Sequence, residues 1–324
     1  MRVLGLDIGG TSSRIALIEV KNKPVIIKKK TVMTKEVNNI SKLINDFNKE
    51  HKVKSVCVGF AGPVIGNKAK LTNAHLKIDL NKVKKETKIQ KIVLKNDFHV
   101  AGYGIPFLNK KELVSLNKGK NTKKKVEMVV GPGTGLGKVH IIEKKVFPCE
   151  AGWTSLGVDD IDDYALLDYL RGKYGRSVYY EDVLSGKGLI DIYDHLEIKS
   201  NLDTNMKIRR LIKEEPVHKA KVLIQHSKTD KLCDMTLNIF TKFYARFIRD
   251  SCLNLLTSNV YLIGGISGAI EPYLKKGFIK EFLKHDVYSR MLKKVSINIV
   301  LNEDVGLIGA GAIASNIVSV REVE

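Results

Sequence analysis

An aspartate, two adjacent glycines and a pair of hydroxyls near the start of the chain are residues that could bind a phosphate. Residues 3–17 read VLGLDIGGTSSRIAL. Val3 to Leu6 predicts a buried strand, Asp7, Gly9, Gly10 and Thr11 a turn, and Ile15 to Val20 a returning strand. Adjacent glycines let a backbone approach a ligand with no Cβ in the way. Backbone N–H groups there, with the Thr11 and Ser12 hydroxyls, can surround phosphate oxygens. The Asp7 carboxylate would repel a bare phosphate. It suits one that carries Mg²⁺, which takes one or two carboxylates plus water and phosphate oxygens. A tight hairpin with no ligand satisfies the same residues.

The pattern recurs at 126–143. A strand runs into Gly131-Pro132-Gly133-Thr134-Gly135-Leu136-Gly137, and Lys138 to Ile142 returns. Two such units facing each other would clamp a nucleotide between domains. Between them, Ile92-Val93-Leu94 predicts a buried strand that delivers Lys95-Asn96-Asp97-Phe98 at its C-terminal end. Phosphoryl transfer needs positioning, charge neutralisation and a base near the attacking hydroxyl. Asp97, on a rigidly held backbone, is the best candidate base. A helix cap is the other use of Asn96-Asp97.

The elements that must hold these groups follow from apolar spacing. Val37, Ile40, Leu43, Ile44 and Phe47 predict an amphipathic helix over 35–49. Residues 55–60 predict a strand ending at the small-residue corner Ala61-Gly62-Pro63. Leu71-Thr72-Asn73 reads as a short extended piece. Asp79 is the expected N-cap of a helix over about 80–87. Another helix over about 98–107 stops near Pro106. Strands alternating with helices predict an α/β unit with a parallel or mixed sheet. The basic stretch 109–125 reads as a boundary loop. Beyond it come helices over 161–173 and 181–195, and a short one starting at Pro216. Residues 233–256 predict the longest helix, then a strand at 260–263 that leads to Gly264-Gly265. Residues 271–284 predict a helix and 295–301 a strand. The glycine- and alanine-rich stretch 305–318 predicts a helix able to pack closely on a neighbour.

Composition bounds the functional classes. The 324 residues allow one large or two ordinary domains, and 44% hydrophobic content supports a real core. The 55 basic against 35 acidic residues give a net charge of +20. The lysines are scattered among acids, and no zinc-finger, RNA-binding or helix-turn-helix pattern accompanies them. A basic surface favours an anionic substrate such as ATP. Cys57, Cys149, Cys233 and Cys252 form no CxxC pair and no disulfide framework. There is no signal-peptide pattern, and no apolar run reaches about 18 residues. The expectation is a cytoplasmic protein with no membrane and no specific nucleic-acid partner.

Several motifs stand in one order: Leu6 to Thr11, Lys95 to Phe98, Gly133 to Gly137, Glu150-Ala151-Gly152, Glu181 to Gly186, Ile263 to Ile266 and Gly306 to Ala312. Together they resemble the bacterial-type glucokinase family, within the actin-like superfamily of sugar kinases, over nearly the whole chain. The resemblance implies an α/β, two-domain actin-like (ribonuclease H-like) fold with a cleft between domains. The small domain would join 1–107 to 303–324, and the large one would span 108–302. The implied activity is ATP-dependent phosphorylation of glucose at its 6-hydroxyl, with ATP and Mg²⁺, by a protein that is commonly a homodimer.

Carried over residue by residue, Asp97 matches the base beside the 6-hydroxyl and Asn96 a sugar-binding asparagine. Glu150 and Glu181 match two sugar-contacting glutamates, and Asn73 is a further candidate contact. Each carboxylate can accept two hydroxyl hydrogen bonds. Gly9, Gly10, Thr11, Gly133, Thr134 and Gly135 resemble two phosphate loops, Gly264 and Gly265 the turn under adenosine, and Asp7 the metal-holding residue. The family usually reads Glu-x-Gly-His where this chain reads Glu150-Ala151-Gly152-Trp153, so Trp153 replaces a sugar-contacting histidine. This leaves a kinase for another hexose or an amino sugar as an alternative, and ADP or polyphosphate as alternative donors. A non-catalytic sugar-binding regulator is the alternative from another class. Such regulators carry an N-terminal DNA-binding extension, not expected here, and Asp97 favours catalysis.

Scattered lysines predict DNA binding that is weak, independent of sequence and strongly salt-dependent. A competition shift assay at physiological salt checks this, and sequence-selective binding is the contrary result.

Overall fold

The computed structural model describes residues 1–71, 76–120, 126–199 and 205–318. The chain forms two compact units. One comprises Met1–Leu113, Val139–Pro148 and Asn302–Glu324, the other Val114–Lys138 and Cys149–Leu301. Residues 139–148 thus group with the first unit, whereas the sequence reading kept 108–302 as one block.

The first unit is built on a five-stranded sheet. Strand Arg2–Ile8 lies at its centre, with Ser12–Val20 and then Pro24–Met33 on one side and Ser55–Phe60 and then Lys91–Asn96 on the other. The first two strands are antiparallel and form the expected hairpin. Strands Ser55–Phe60 and Lys91–Asn96 run parallel to the first. Leu4, Leu6, Ile8, Val56, Val58 and Phe60 are buried in one apolar cluster with the helix residues Ile40 and Ile44. Helix Ile40–Asn48 starts later than its periodicity suggested, at the N-cap Asn39, whose side chain accepts from Lys42 N–H at 3.1 Å.

Helix Val305–Ala314 packs against the central strand and against helix Asp97–Gly104. A Cβ on Gly309 would lie 1.9 Å from the Val100 carbonyl oxygen, and one on Gly104 would lie 2.2 Å from that of Val305. The two helices meet backbone to backbone, as the small residues of 305–318 led one to expect.

Strand Pro24–Met33 was not assigned from sequence. It is the outermost strand, and its middle, Lys28-Lys29-Lys30, is exposed. Lysines on an edge strand discourage pairing with another chain, and they also hide the alternation by which a strand is recognised.

In the second unit, strand Asn259–Leu262 lies between Val126–Pro132 and Ser296–Val300, parallel to both. Strand Leu113–Asn117 follows at the outer edge. It falls within the expected basic loop. The Asn117 side chain donates to the Val295 carbonyl at 2.6 Å. Helix Lys231–Leu255 buries Phe240, Phe243, Tyr244 and Phe247 against the sheet strands' Met128, Val260 and Ile297. The expected helix over 181–195 is two helices, Tyr180–Val183 and Gly186–Lys199. The break lies at Leu184-Ser185, where the Ser185 hydroxyl accepts from Gly188 N–H at 3.0 Å and so starts the second helix. Pro216 falls between helices Met206–Glu214 and Lys219–His226 instead of opening one. Among the described residues no helix is long and apolar enough to cross a membrane.

One buried cation ties this unit together. Arg246, in the long helix, pairs with Asp159, Asp163 and Glu281, while Lys242 pairs with Asp160 at 2.5 Å and Asp163 at 2.8 Å. The Lys242 hydrogen bond takes the Asp160 carboxyl down to about 2. Burial opposes ionisation of Asp163, but Lys242 and Arg246 outweigh it and hold its carboxyl below the usual range. Depressed carboxyl pKa values contribute stability above the unfolded-state value, 3.8 here, and that contribution is lost as pH falls through the folded value. Urea melts should therefore lose stability between pH about 4 and about 2. Asp163→Ala, which removes the most deeply buried carboxylate shared by Arg246 and Lys242, should cost about 3–5 kcal/mol at neutral pH. A cost below about 1 kcal/mol would place the network among ordinary surface pairs.

Candidate active site

In the first unit, strand register brings the candidates together. Ile8 lies beside Phe60, and Phe60 beside Asn96. Three parallel strands thus end level, each about 4.8 Å from the next. The turn Gly9-Gly10-Thr11 and the pair Asn96-Asp97 leave the sheet at the same edge. The C-terminal edge of parallel strands is where α/β sheets bind ligands.

The turn is held from below. Gly9 N–H donates to the Ser12 carbonyl at 3.0 Å, the Thr34 hydroxyl donates to the Gly9 carbonyl at 2.7 Å, and Thr34 N–H donates to the Thr11 carbonyl at 2.9 Å. Thr34 follows the lysine-rich strand, so that strand fixes the turn's shape. Asp7 faces Arg14 across the hairpin and pairs with it. Arg14 also donates to the Glu303 carbonyl at 2.7 Å. Among the described residues no three His, Cys, Asp or Glu side chains gather to hold a metal ion. This donor set fits Mg²⁺ arriving on phosphate oxygens with Asp7 reached through water, and does not fit a cage built by protein.

Asn96 is indeed a helix cap. Its Oδ1 accepts from Phe98 N–H at 3.0 Å and His99 N–H at 3.3 Å, and its amide donates to the Gly62 carbonyl at 3.4 Å. Capping fixes the direction of the Asn96 side chain and starts the helix on which Asp97 sits. Asp97 is half-buried in the first turn, with Oδ1 accepting Phe98 N–H at 2.9 Å. His99, two residues on, is pushed down to about 4 by burial and then by Lys95, so it is neutral at pH 7.

In the second unit, Val130 lies beside Leu262, and both strands deliver glycine turns to one edge. Gly264 has φ +91°, a conformation that favours glycine, and a Cβ there would lie 3.3 Å from the Pro132 carbonyl. Gly133 N–H donates to the Gly135 carbonyl at 2.7 Å, and Gly186 N–H donates to the Gly133 carbonyl at 2.8 Å. Gly133 and Thr134 are the exposed residues of that turn, and Gly265 opens a short helix with free space around it.

Glu181 is built into the same turn. Its Oε2 accepts Leu136 N–H at 2.8 Å. A Cβ on Gly135 would lie 2.5 Å from that oxygen. Burial pushes the Glu181 carboxyl above the usual range; Leu136 N–H opposes this, Asp182 and Glu150 add to it, and Arg176 pulls it back. The influence of Glu150 puts the two glutamates in one neighbourhood. Glu150 is exposed and opens the short turn Ala151–Trp153. Trp153 is 48% exposed and meets the Tyr179 ring at 5.5 Å. It does not turn into the core. Asn73 lies outside the described residues.

Thr34, Arg14, Arg176 and Asp182 were not singled out from sequence. Only Arg14 carried a signal, as a lone cation in an apolar strand seven residues after Asp7.

Two α/β units, each bearing a glycine turn at the ends of parallel strands, define the class: this is an actin-like sugar kinase fold. The glucokinase family model matches residues 4–317, and the chain belongs to that family. A glucokinase of Nostoc sp. is 30% identical over 97% of this chain and 99% of its own length. The crystal structure of glucokinase from an Antarctic psychrotroph is 25% identical, with TM-score 0.77 over 97% of this chain and 99% of that one. A Streptomyces griseus ROK-family glucokinase, solved with glucose and AMPPNP, has the same fold at 17% identity, with TM-score 0.70 over 98% of this chain and 100% of that one. The protein is an ATP-dependent sugar kinase of the glucokinase family.

Gly135→Ala tests the contact between turn and carboxylate. The clash falls on the free end of a side chain, so melting temperature should stay within about 2 °C of wild type. Glucose KM should rise several-fold if the displaced Glu181 oxygen is a sugar contact. An unchanged KM would separate the turn from the sugar site.

Proposed function

We propose that the protein transfers the γ-phosphoryl group of ATP to the 6-hydroxyl of glucose, with Asp97 as general base. The level ending of the three strands at Ile8, Phe60 and Asn96 carries this reading, because it sets a glycine turn and a positioned carboxylate at one edge. In the first step Asn96, Glu150 and Glu181 accept and donate hydrogen bonds to the sugar hydroxyls and orient the ring. Asp97 then takes the proton from the 6-hydroxyl as its oxygen bonds to the γ-phosphorus, and the bond to the β,γ-bridging oxygen breaks to leave ADP. The N–H groups of Gly10 and Thr11 and of Thr134 and Gly135 hold phosphate oxygens, Gly9 and Gly133 shape the two turns through their own N–H bonds, and Gly264 and Gly265 leave room for adenosine. Mg²⁺, when present on the nucleotide, neutralises charge building on the phosphates, with Asp7 as its water-mediated partner.

Trp153 favours a second reading, a kinase for another hexose or an amino sugar. An indole donates through one N–H and accepts nothing, unlike the neutral histidine it replaces. Its exposed plane can cover the C–H face of a pyranose. Weaker glucose binding and looser choice among epimers follow from that exchange. Four unpaired cysteines agree with a reducing cytoplasm, and we take the active form to be a homodimer, as light scattering can test.

Asp97→Ala should lower kcat by about 10²–10⁴-fold while nucleotide affinity stays near wild type. A coupled assay across glucose, mannose and glucosamine, with ATP, ADP and polyphosphate as donors, measures this and the specificity together. More than a tenth of wild-type kcat at saturating sugar would remove Asp97 as the base.

A further inference from the structure

Glu181 is the second residue of a helix only one turn long, Tyr180–Val183. A single turn has too few internal hydrogen bonds to hold its own direction, so its direction depends on the residues around it. Asp182 holds the entrance: its Oδ2 accepts Tyr179 N–H at 2.9 Å, and its own N–H donates to the Tyr179 carbonyl at 3.1 Å. Arg176 grips Asp182 with both arms of its fork, Nη1 to Oδ2 and Nη2 to Oδ1, each at 2.8 Å. The same guanidinium lies over the Tyr179 ring at 5.1 Å and the Tyr174 ring at 4.8 Å. Tyr179 in turn meets Trp153 at 5.5 Å. The backbone ties the same two segments, through a bridge between Ser155 and Tyr179 and a bond from Tyr180 N–H to the Thr154 carbonyl at 3.1 Å. One planar cation is therefore joined to the segment bearing Glu181 and, through Tyr179, to the turn bearing Glu150 and Trp153.

We propose that Arg176 is a positioning residue of the sugar site, acting through Asp182 to aim the Glu181 carboxylate and through Tyr179 to set the plane of Trp153. This deepens the reading of Glu181 as a sugar ligand and rests on it. Arg176 is exposed and touches no reacting atom. Lysine cannot replace it fully, because a point charge lacks the fork that meets a carboxylate in two places and the flat face that stacks on a ring.

The charges around Glu181 give the proposal a sign. The groups that face it are Leu136 N–H, Asp182, Glu150 and Arg176. An ionised Glu181 accepts sugar hydroxyls, so glucose KM rises as pH falls through its pKa. Removing the Arg176 charge moves that limb to higher pH. Removing the Asp182 charge moves it to lower pH.

The experiment compares Arg176→Met, Arg176→Lys, Asp182→Asn and Glu181→Gln by glucose KM, ATP KM and kcat across pH, with thermal melts as a folding control. Arg176→Met and Asp182→Asn should each raise glucose KM about tenfold, with kcat and ATP KM within roughly twofold of wild type. Their acid limbs should move in opposite directions. Arg176→Lys, which guards against misfolding of the methionine variant, should keep the wild-type limb with a raised KM. Wild-type KM and limb in Arg176→Met, with raised KM in Glu181→Gln, overturn the proposal alone. Raised KM with unmoved limbs in both charge-removing variants, Arg176→Met and Asp182→Asn, also overturns it, since that is the mark of a purely structural prop. An unchanged glucose KM in Glu181→Gln overturns the sugar-ligand reading itself and the proposal with it.

Discussion

The close approach of helix Val305–Ala314 to helix Asp97–Gly104 is the constraint on which the proposed catalytic edge of the first unit depends. At Gly104 and Gly309 even one added carbon would overlap the facing backbone. The same helix lies on the central strand at Gly5, where a Cβ would meet Ile18 and Ala310 at 2.7 and 3.0 Å. Glycine weakens a helix by about 1 kcal/mol relative to alanine, so several in one helix are costly unless contact offsets them. Here the contact is backbone against backbone. It fixes the helix that begins at Asp97 relative to the strand that ends before Gly9, the rigidity that the proposed role of Asp97 as base requires.

The second unit solves the same problem with polar groups. Glu181 would be free to rotate on a surface helix. Instead one oxygen accepts a backbone N–H from the turn between two strands, in space that Gly135 leaves empty. Burial raises the cost of ionising it, and nearby acids raise it further. A carboxylate held this way is short of hydrogen-bond donors, which is the state in which sugar hydroxyls bind best. The Glu181 carboxylate and the glycine turn are thus one structure.

How much of this was legible in the sequence depended on range. Asp7-Ile8-Gly9-Gly10-Thr11 was readable because few residue types make such a turn. The apolar strand before Asn96 was readable for the same local reason. The long helix came within two residues, since its periodicity runs unbroken. Strand Pro24–Met33 was hidden because six of its ten residues are exposed, three of them lysines in a row, which reads as loop. The break at Leu184-Ser185 was hidden because apolar residues continue on both sides of it. The contact of Glu181 with Leu136 spans 45 residues, and the Arg176–Asp182 fork looks in sequence like any surface ion pair. Side-chain geometry across such distances has no local signature.

The first unit is assembled from three separated stretches of chain. Its sheet and the helix bearing Asp97 are synthesised first, and the helix that closes on them begins only at Val305, about 200 residues later. At ~5–20 residues per second the interval is on the order of 10–40 s. Throughout it, the groove that Gly5, Gly104 and the neighbouring strand will offer to that helix is an uncovered apolar surface on a nascent chain. Contacts this distant in sequence also slow folding by the entropy of closing the loop between them. The feature that makes this edge rigid in the finished protein therefore leaves the newborn chain with exposed apolar surface of the kind that invites aggregation, while lysines on an open strand edge disfavour pairing with neighbours.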